Sequence, residues 1–175
     1  SNLFKLNKKD RILVTYSGVF PDIDWLGIVV ELVTKNTSNP KLWFEKYHHL
    51  IGHNLLACMI VSFIVYLIAD KRLRTVVMSF LVFHIYLICD ILGAKDSAGY
   101  QWPIPYFTPF NNMKISWSGQ WELVSWQNFV LTAVFLIIAL IIMIKKKRSF
   151  LEIFSKKVDK IFVKVINRWF IKMKN

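Results

Sequence analysis

The chain has 175 residues, 55% of them apolar, and 23 Lys/Arg against 11 Asp/Glu give it a net charge of +12. That apolar share and the positive mean hydropathy exclude a disordered chain and an ordinary soluble domain. Two cysteines, Cys58 and Cys89, are too few for a disulfide framework.

The first segment, Leu3–Arg11, carries Lys5, Lys8, Lys9 and Arg11 and is too polar to form the apolar core of a secretory signal. The chain opens on Ser1–Asn2 instead of Met, which leaves room for a further N-terminal element. The apolar stretch Ile12–Val33 follows, interrupted by PDID at Pro21–Asp24. Proline and two carboxylates do not belong in a lipid-facing helix. The pattern predicts two short helical pieces meeting at a turn that is buried in protein or faces water.

Three windows then read as membrane spans: Leu50–Ala69, Leu73–Leu92 and Trp126–Ile144. Each covers about 30 Å as a helix, the thickness of a bilayer's hydrocarbon core. Cys58 and Cys89 fall inside the first two, where a free thiol behaves as a small hydrophobe. The turn between them, DKRLR at Asp70–Arg74, is basic. From Lys145 onward, eleven Lys/Arg oppose Glu152 and Asp159. Both basic segments are expected on the cytoplasmic side, two crossings apart, with the loops Thr34–Tyr47 and Gly93–Ser125 outside.

The second of those loops is rich in aromatics, among them Tyr100, Trp102, Tyr106 and Phe110. Trp117, Trp121 and Trp126 fit an interfacial belt. For Gly99–Pro109 a belt and a lid over an amphiphilic substrate stay open. In the tail, Leu151, Phe154, Val158, Ile161, Val165 and Trp169 recur at three- and four-residue spacing among lysines. This is the pattern of an interfacial amphipathic helix, and directly after a span it points to membrane lipids and not to nucleic acid. The expected fold is all-α: a polytopic membrane helical bundle at residues 1–144, with a broken N-terminal helix, followed by a basic amphipathic tail at 145–175.

Six residues of metal-ligand type lie in or beside the apolar stretches: Asp22, Asp24, His49, His53, His84 and Asp90. Ionisable groups at membrane depth are costly and mark binding or relay sites. With the orientation above, all six fall in the outer half of the membrane. His49 and His53, at i and i+4 on a continuous helix, would share one face and could reach one metal. His48 would point elsewhere. His84 and Asp90, six apart, are about 120° out of phase on a regular helix. Taken singly, each has an ordinary explanation, such as an interhelical hydrogen bond or a cap; their co-occurrence argues for a site. An intramembrane ion pathway and a non-catalytic anchor are the rival readings, and the inner halves of the spans offer a pathway little beyond Ser62, Thr75 and Ser79.

The order PDxD, YHHLIGHN, H-x5-D and GYQWP, spread over Val14–Pro105, resembles the membrane-bound metal-dependent hydrolases of the bacterial inner membrane, a family with a LexA-regulated member. The resemblance implies a multi-pass inner-membrane protein with its metal held by Asp22, Asp24, His49, His53, His84 and Asp90. Members usually carry a further histidine near the start of an N-terminal helix; this chain has none before His48. Mixed imidazole and carboxylate donors suit a divalent transition metal, zinc or manganese above all. The expected activity is hydrolysis of an ester or phosphoester in an amphiphilic substrate, with Asp24 as general base.

Overall fold

The computed structural model describes residues 5–47 and 50–172, and among these every regular element is helical. Two compact units emerge, Ser1–Leu123 and Val124–Asn175.

In the first unit, α1 (Lys8–Val19) is capped by Asn7, whose side chain accepts the Asp10 N–H. The chain then tightens into a 3-10 segment, Phe20–Trp25, with Pro21 at its start, and relaxes into α2 (Leu26–Thr34). Proline lacks an N–H and crowds the preceding turn, so the helix changes pitch there. The backbone stays right-handed helical through Val19 and Leu26. The expected turn is therefore a 3-10 stretch within one 27-residue helical run, Lys8–Thr34. A short α3 (Trp43–Tyr47) packs on α2, with Trp25 edge-on to Phe44.

The helix α4 (Leu55–Ile68) is shorter than the predicted span, because Leu50–Asn54 is irregular. Asn54 accounts for the difference. Its side chain accepts the Ala57 N–H as N-cap and donates back to the carbonyls of Leu50 and Ile51. A polar side chain that satisfies both the helix start and the preceding loop fixes the boundary there. The next helix, α5 (Arg72–Gly93), agrees with the predicted span. It packs against α1 on one side and α4 on the other. The core between them holds Cys58, Val61, Val65, Phe83, Leu87 and, from the long outer loop, Ile104.

At the opposite end of α1 lies a carboxylate that charge counting alone passes over. Asp10 is fully buried and accepts the N–H groups of Asp70 and Lys71 at 2.9 and 3.0 Å. These are donors at the start of α5 that have no helical partner, and an acidic group is favoured there. Beside it, Lys9 and Asn7 both bind the Asp70 carboxyl and hold it below the usual carboxylate range. The N-terminal segment and the α4–α5 turn thus share one end of the unit.

In the second unit, α6 (Trp126–Lys146) ends at Lys147, which adopts a left-handed conformation. A 3-10 turn, Phe150–Ile153, leads into α7 (Lys156–Lys172). The buried Asp159 of α7 accepts both the N–H and the hydroxyl of Ser149, at 2.6 and 2.7 Å, and so clasps this turn. Lys8–Thr34, Arg72–Gly93 and Trp126–Lys146 are long and apolar enough to cross a membrane. Both cysteines are free, as their positions in apolar helices suggested.

Candidate functional site

The irregular segment before α4 carries the centre of the site. His53 is 1% exposed and does not lie on a helix. The helix expected to carry His53 does not reach it; His49, like His48, lies outside the described residues. His53 is seated instead by the 3-10 segment. Asp24, itself buried, accepts the Gly52 N–H with both oxygens, at 2.9 and 3.1 Å, and meets His53 Nδ1 at 3.3 Å.

On its other side the ring meets α5, with His53 Nε2 standing 3.2 Å from Asp90 Oδ2. That is an ion-pair distance, yet the approach is not aligned as a hydrogen bond. Asp90 Oδ2 is buried without a hydrogen-bond partner among the described residues. A carboxylate can only accept, so with Asp24 as its partner Nδ1 would carry the proton, and a neutral ring would turn the lone pair of Nε2 toward Asp90. Two acceptors at this distance call for a cation between them, either a proton or a metal.

Asp22 reaches α5 by a different route. The Tyr86 hydroxyl donates to its Oδ1 at 2.5 Å, and the Tyr86 ring packs edge-on to His53 with centroids 5.8 Å apart. Tyr86 lies one turn before Asp90, and it belongs to the site although its residue type did not single it out. Asp22, Asp24, His53 and Asp90 are thus drawn together from three segments.

His84 is not brought to them. Its Nδ1 is 2.8 Å from the Phe80 carbonyl, which must accept, so Nε2 accepts from the Tyr106 hydroxyl at 2.8 Å. Burial pushes the Tyr106 phenol up, which keeps that donor protonated. The phase difference along α5 takes effect here: His84 serves the loop and Asp90 serves His53. Among the described residues, no group of three or more His, Cys, Asp or Glu side chains is arranged to hold a metal ion.

The long loop closes over this end of α4 and α5. Gln120, 3% exposed, donates to the Asp90 carbonyl and accepts the Trp102 N–H. The Tyr106 carbonyl accepts the Leu55 N–H, and Ile104 is 1% exposed in the core. The stretch around Trp102–Tyr106 is therefore built into the unit, while Tyr100, Phe110 and Trp117 stay exposed.

The family model for the YdjM inner membrane proteins matches residues 3–156. The chain belongs to the YdjM inner membrane protein family. The matched region takes in the whole first unit from Leu3, α6 and the turn that follows. With its apolar helices, membership makes it a membrane protein of a bacterial inner-membrane family. No curated protein and no solved structure matches the chain.

Proposed function

We propose that this YdjM-family protein is a membrane-embedded metal-dependent hydrolase acting on an ester or phosphoester bond of a lipid-like substrate. One observation carries the reading: a fully buried His53 lies between Asp24 and Asp90, with Asp90 Oδ2 lacking a hydrogen-bond partner among the described residues. Two carboxylates at one imidazole leave a largely buried excess of negative charge, which is costly without a cation.

Imidazole and carboxylate are donor types that suit a divalent metal. Ligand atoms about 2.0–2.1 Å from a tetrahedral zinc stand about 3.3 Å from one another, close to the 3.2 Å between His53 Nε2 and Asp90 Oδ2. In this reading His53 and Asp90 would hold the metal, and Asp22 and His49 are further donors by their place in the sequence. Asp24 then orients His53 through Nδ1, as a carboxylate does behind many metal-binding histidines. That role replaces the general-base role expected for it, because its oxygens already serve Gly52 and His53. A zinc or manganese ion bound here would supply Lewis acidity toward a carbonyl or phosphoryl oxygen.

The substrate class follows from what surrounds the polar cluster. Ile23 and Trp25 flank Asp24, Ile51 lies two residues before His53 and Ile88 two before Asp90; all four are exposed. In a bilayer such side chains face acyl chains, so an amphiphile could reach the site while its tail stays in lipid. We also assign the protein a multi-pass topology with a cytoplasmic C-terminus.

The test uses the full-length protein purified in detergent, with elemental analysis and hydrolysis of a p-nitrophenyl acyl ester and of bis(p-nitrophenyl) phosphate in mixed micelles. The wild type should carry a transition metal and cleave one of these probes. His53→Ala and Asp90→Ala should lose both properties. Asp24→Asn should weaken metal affinity by about 10–100-fold. A metal-free wild type, or activity untouched by both alanine variants, would sink the assignment.

A further inference from the structure

Segments 5–11 and 70–74, far apart in the sequence, carry seven Lys/Arg against Asp10 and Asp70 and meet at one end of the first unit. Both acids are engaged by the chain itself. Asp10 is fully buried on the Asp70 and Lys71 N–H groups, and the Asp70 carboxylate is held by Asn7 and Lys9. Asp10 thus fills backbone donors at the start of α5, and what this end offers an anion is its side chains. Lys71 Nζ donates to the Lys5 carbonyl at 2.9 Å, which draws the two segments together without cancelling a charge. Lys5, Lys9, Lys71, Arg72 and Arg74 are all exposed.

An apolar band borders this charge directly. Leu73, between Arg72 and Arg74 in the chain, is 74% exposed, and Tyr66, Leu67 and Ile68 at the end of α4 are exposed as well. The Arg72 guanidinium lies over the Tyr66 ring, 5.4 Å from its centroid. A nucleic acid would engage the cations and leave these side chains in water. A phospholipid uses both, with phosphate at the cations and acyl chains along the apolar residues. The chain belongs to a membrane protein family, and the two helical runs that start at this end, Lys8–Thr34 and Arg72–Gly93, are long and apolar enough to cross a bilayer. That puts the cations at headgroup level.

We infer that the surface formed by segments 5–11 and 70–74 binds an anionic phospholipid, its headgroup phosphate on the lysines and arginines and its acyl chains against Leu73 and the end of α4. The inference is independent of the metal-site reading and of the side of the membrane on which this end lies.

The experiment uses the full-length protein in nanodiscs, with Cys58 and Cys89 replaced by alanine and a bimane label on a single cysteine at position 77. That position is exposed and lies one turn beyond Leu73 on the same side of α5. Quenching by brominated phosphatidylglycerol and, separately, by brominated phosphatidylcholine gives the ratio of their association constants there. A label at position 85, exposed on the same helix, is the reference. The ratio should be about 5 or more at position 77, the weight of a single cation near an anionic surface, and about 1 at position 85. Arg72→Gln/Arg74→Gln should bring the ratio at 77 down toward the reference. Lys5→Gln/Lys8→Gln should do the same from the far segment, because both segments serve one surface. Equal ratios at 77 and 85 in the unsubstituted background overturn the lipid site, and a ratio untouched by the lysine pair overturns the joined surface. Sodium phosphate, compared with chloride at equal ionic strength, should leave the ratio unchanged. A collapse in phosphate alone would give the surface to free phosphate and overturn its assignment to lipid.

Discussion

Gly52 shows how little space surrounds the candidate site. A β-carbon at this position would stand 2.2 Å from the Pro21 carbonyl oxygen, a backbone atom that cannot swing aside. The same residue donates its N–H to Asp24, so the contact that demands a glycine also seats His53. Gly52→Ala should therefore displace the 50–54 segment from the 3-10 turn, at about 1–3 kcal/mol, the usual cost of overpacking. Thermal unfolding in detergent should show a lowered midpoint, and metal titration a weakened site. An alanine variant with both properties intact would mean that the segment is held by something other than this contact. At this scale, charge in an apolar setting made Asp22, Asp24, His53 and Asp90 legible in the sequence. Tyr86 was not, because a tyrosine near a membrane interface is common. Asp10 was hidden for another reason: it sits in a basic run, and its burial depends on Asp70 and Lys71, sixty residues away in the chain.

Among the elements, the long helices follow from composition and the irregular pieces do not. A run of apolar residues through Leu50–Ala69 looks like one helix, yet Asn54 stops it at Leu55 with a cap that also ties down the preceding loop. Asparagine before an apolar run is a start signal that the uninterrupted hydropathy masked. The tail shows the converse case. Its three- and four-residue spacing predicts a helix, and α7 carries Val158, Ile161, Val165 and Trp169 along it, all about half exposed or more. Leu151 and Phe154, read as part of the same stripe, fall instead in and just after the 3-10 turn. An apolar stripe beside Lys156, Lys157, Lys160 and Lys164 matches an anionic lipid surface, each lysine contributing about 1 kcal/mol near it. In nanodiscs containing phosphatidylglycerol, a spin label at position 158, 161 or 165 should be relaxed by oxygen. A label at 160 or 164 should respond to a water-soluble nickel chelate. Equal access of the chelate to all five positions would remove α7 from the membrane surface.

For the molecule as a whole, topology decides whether the site lies at the outer leaflet. Of the 23 Lys/Arg, 18 fall in three segments: 5–11, 70–74 and everything from 145 onward. The fold joins the first two physically, since Asp10 binds the backbone of Asp70 and Lys71 while Lys9 pairs with the Asp70 carboxylate. From that end α5 rises about 27 Å between Arg72 and Asp90, close to the full depth of the hydrocarbon core. The other members of the site meet Asp90 there through His53, so the cluster lies far from the basic end. The non-helical segment 50–54 is tolerable at such depth because Gly52, His53 and Asn54 are buried in protein. In the topology proposed above the basic end is cytoplasmic, and the cluster would then lie toward the outer leaflet. Single cysteines at positions 39 and 118, in a background with Cys58 and Cys89 replaced by alanine, should react with a membrane-impermeant maleimide in intact spheroplasts. Cysteines at positions 8 and 157 should react only after the membrane is opened. Labelling of position 8 or 157 from outside would invert or break this arrangement, and with it the access of an outer-leaflet amphiphile to His53 and Asp90. Labelling of 39 and 118 alone would fix the side from which that substrate must come.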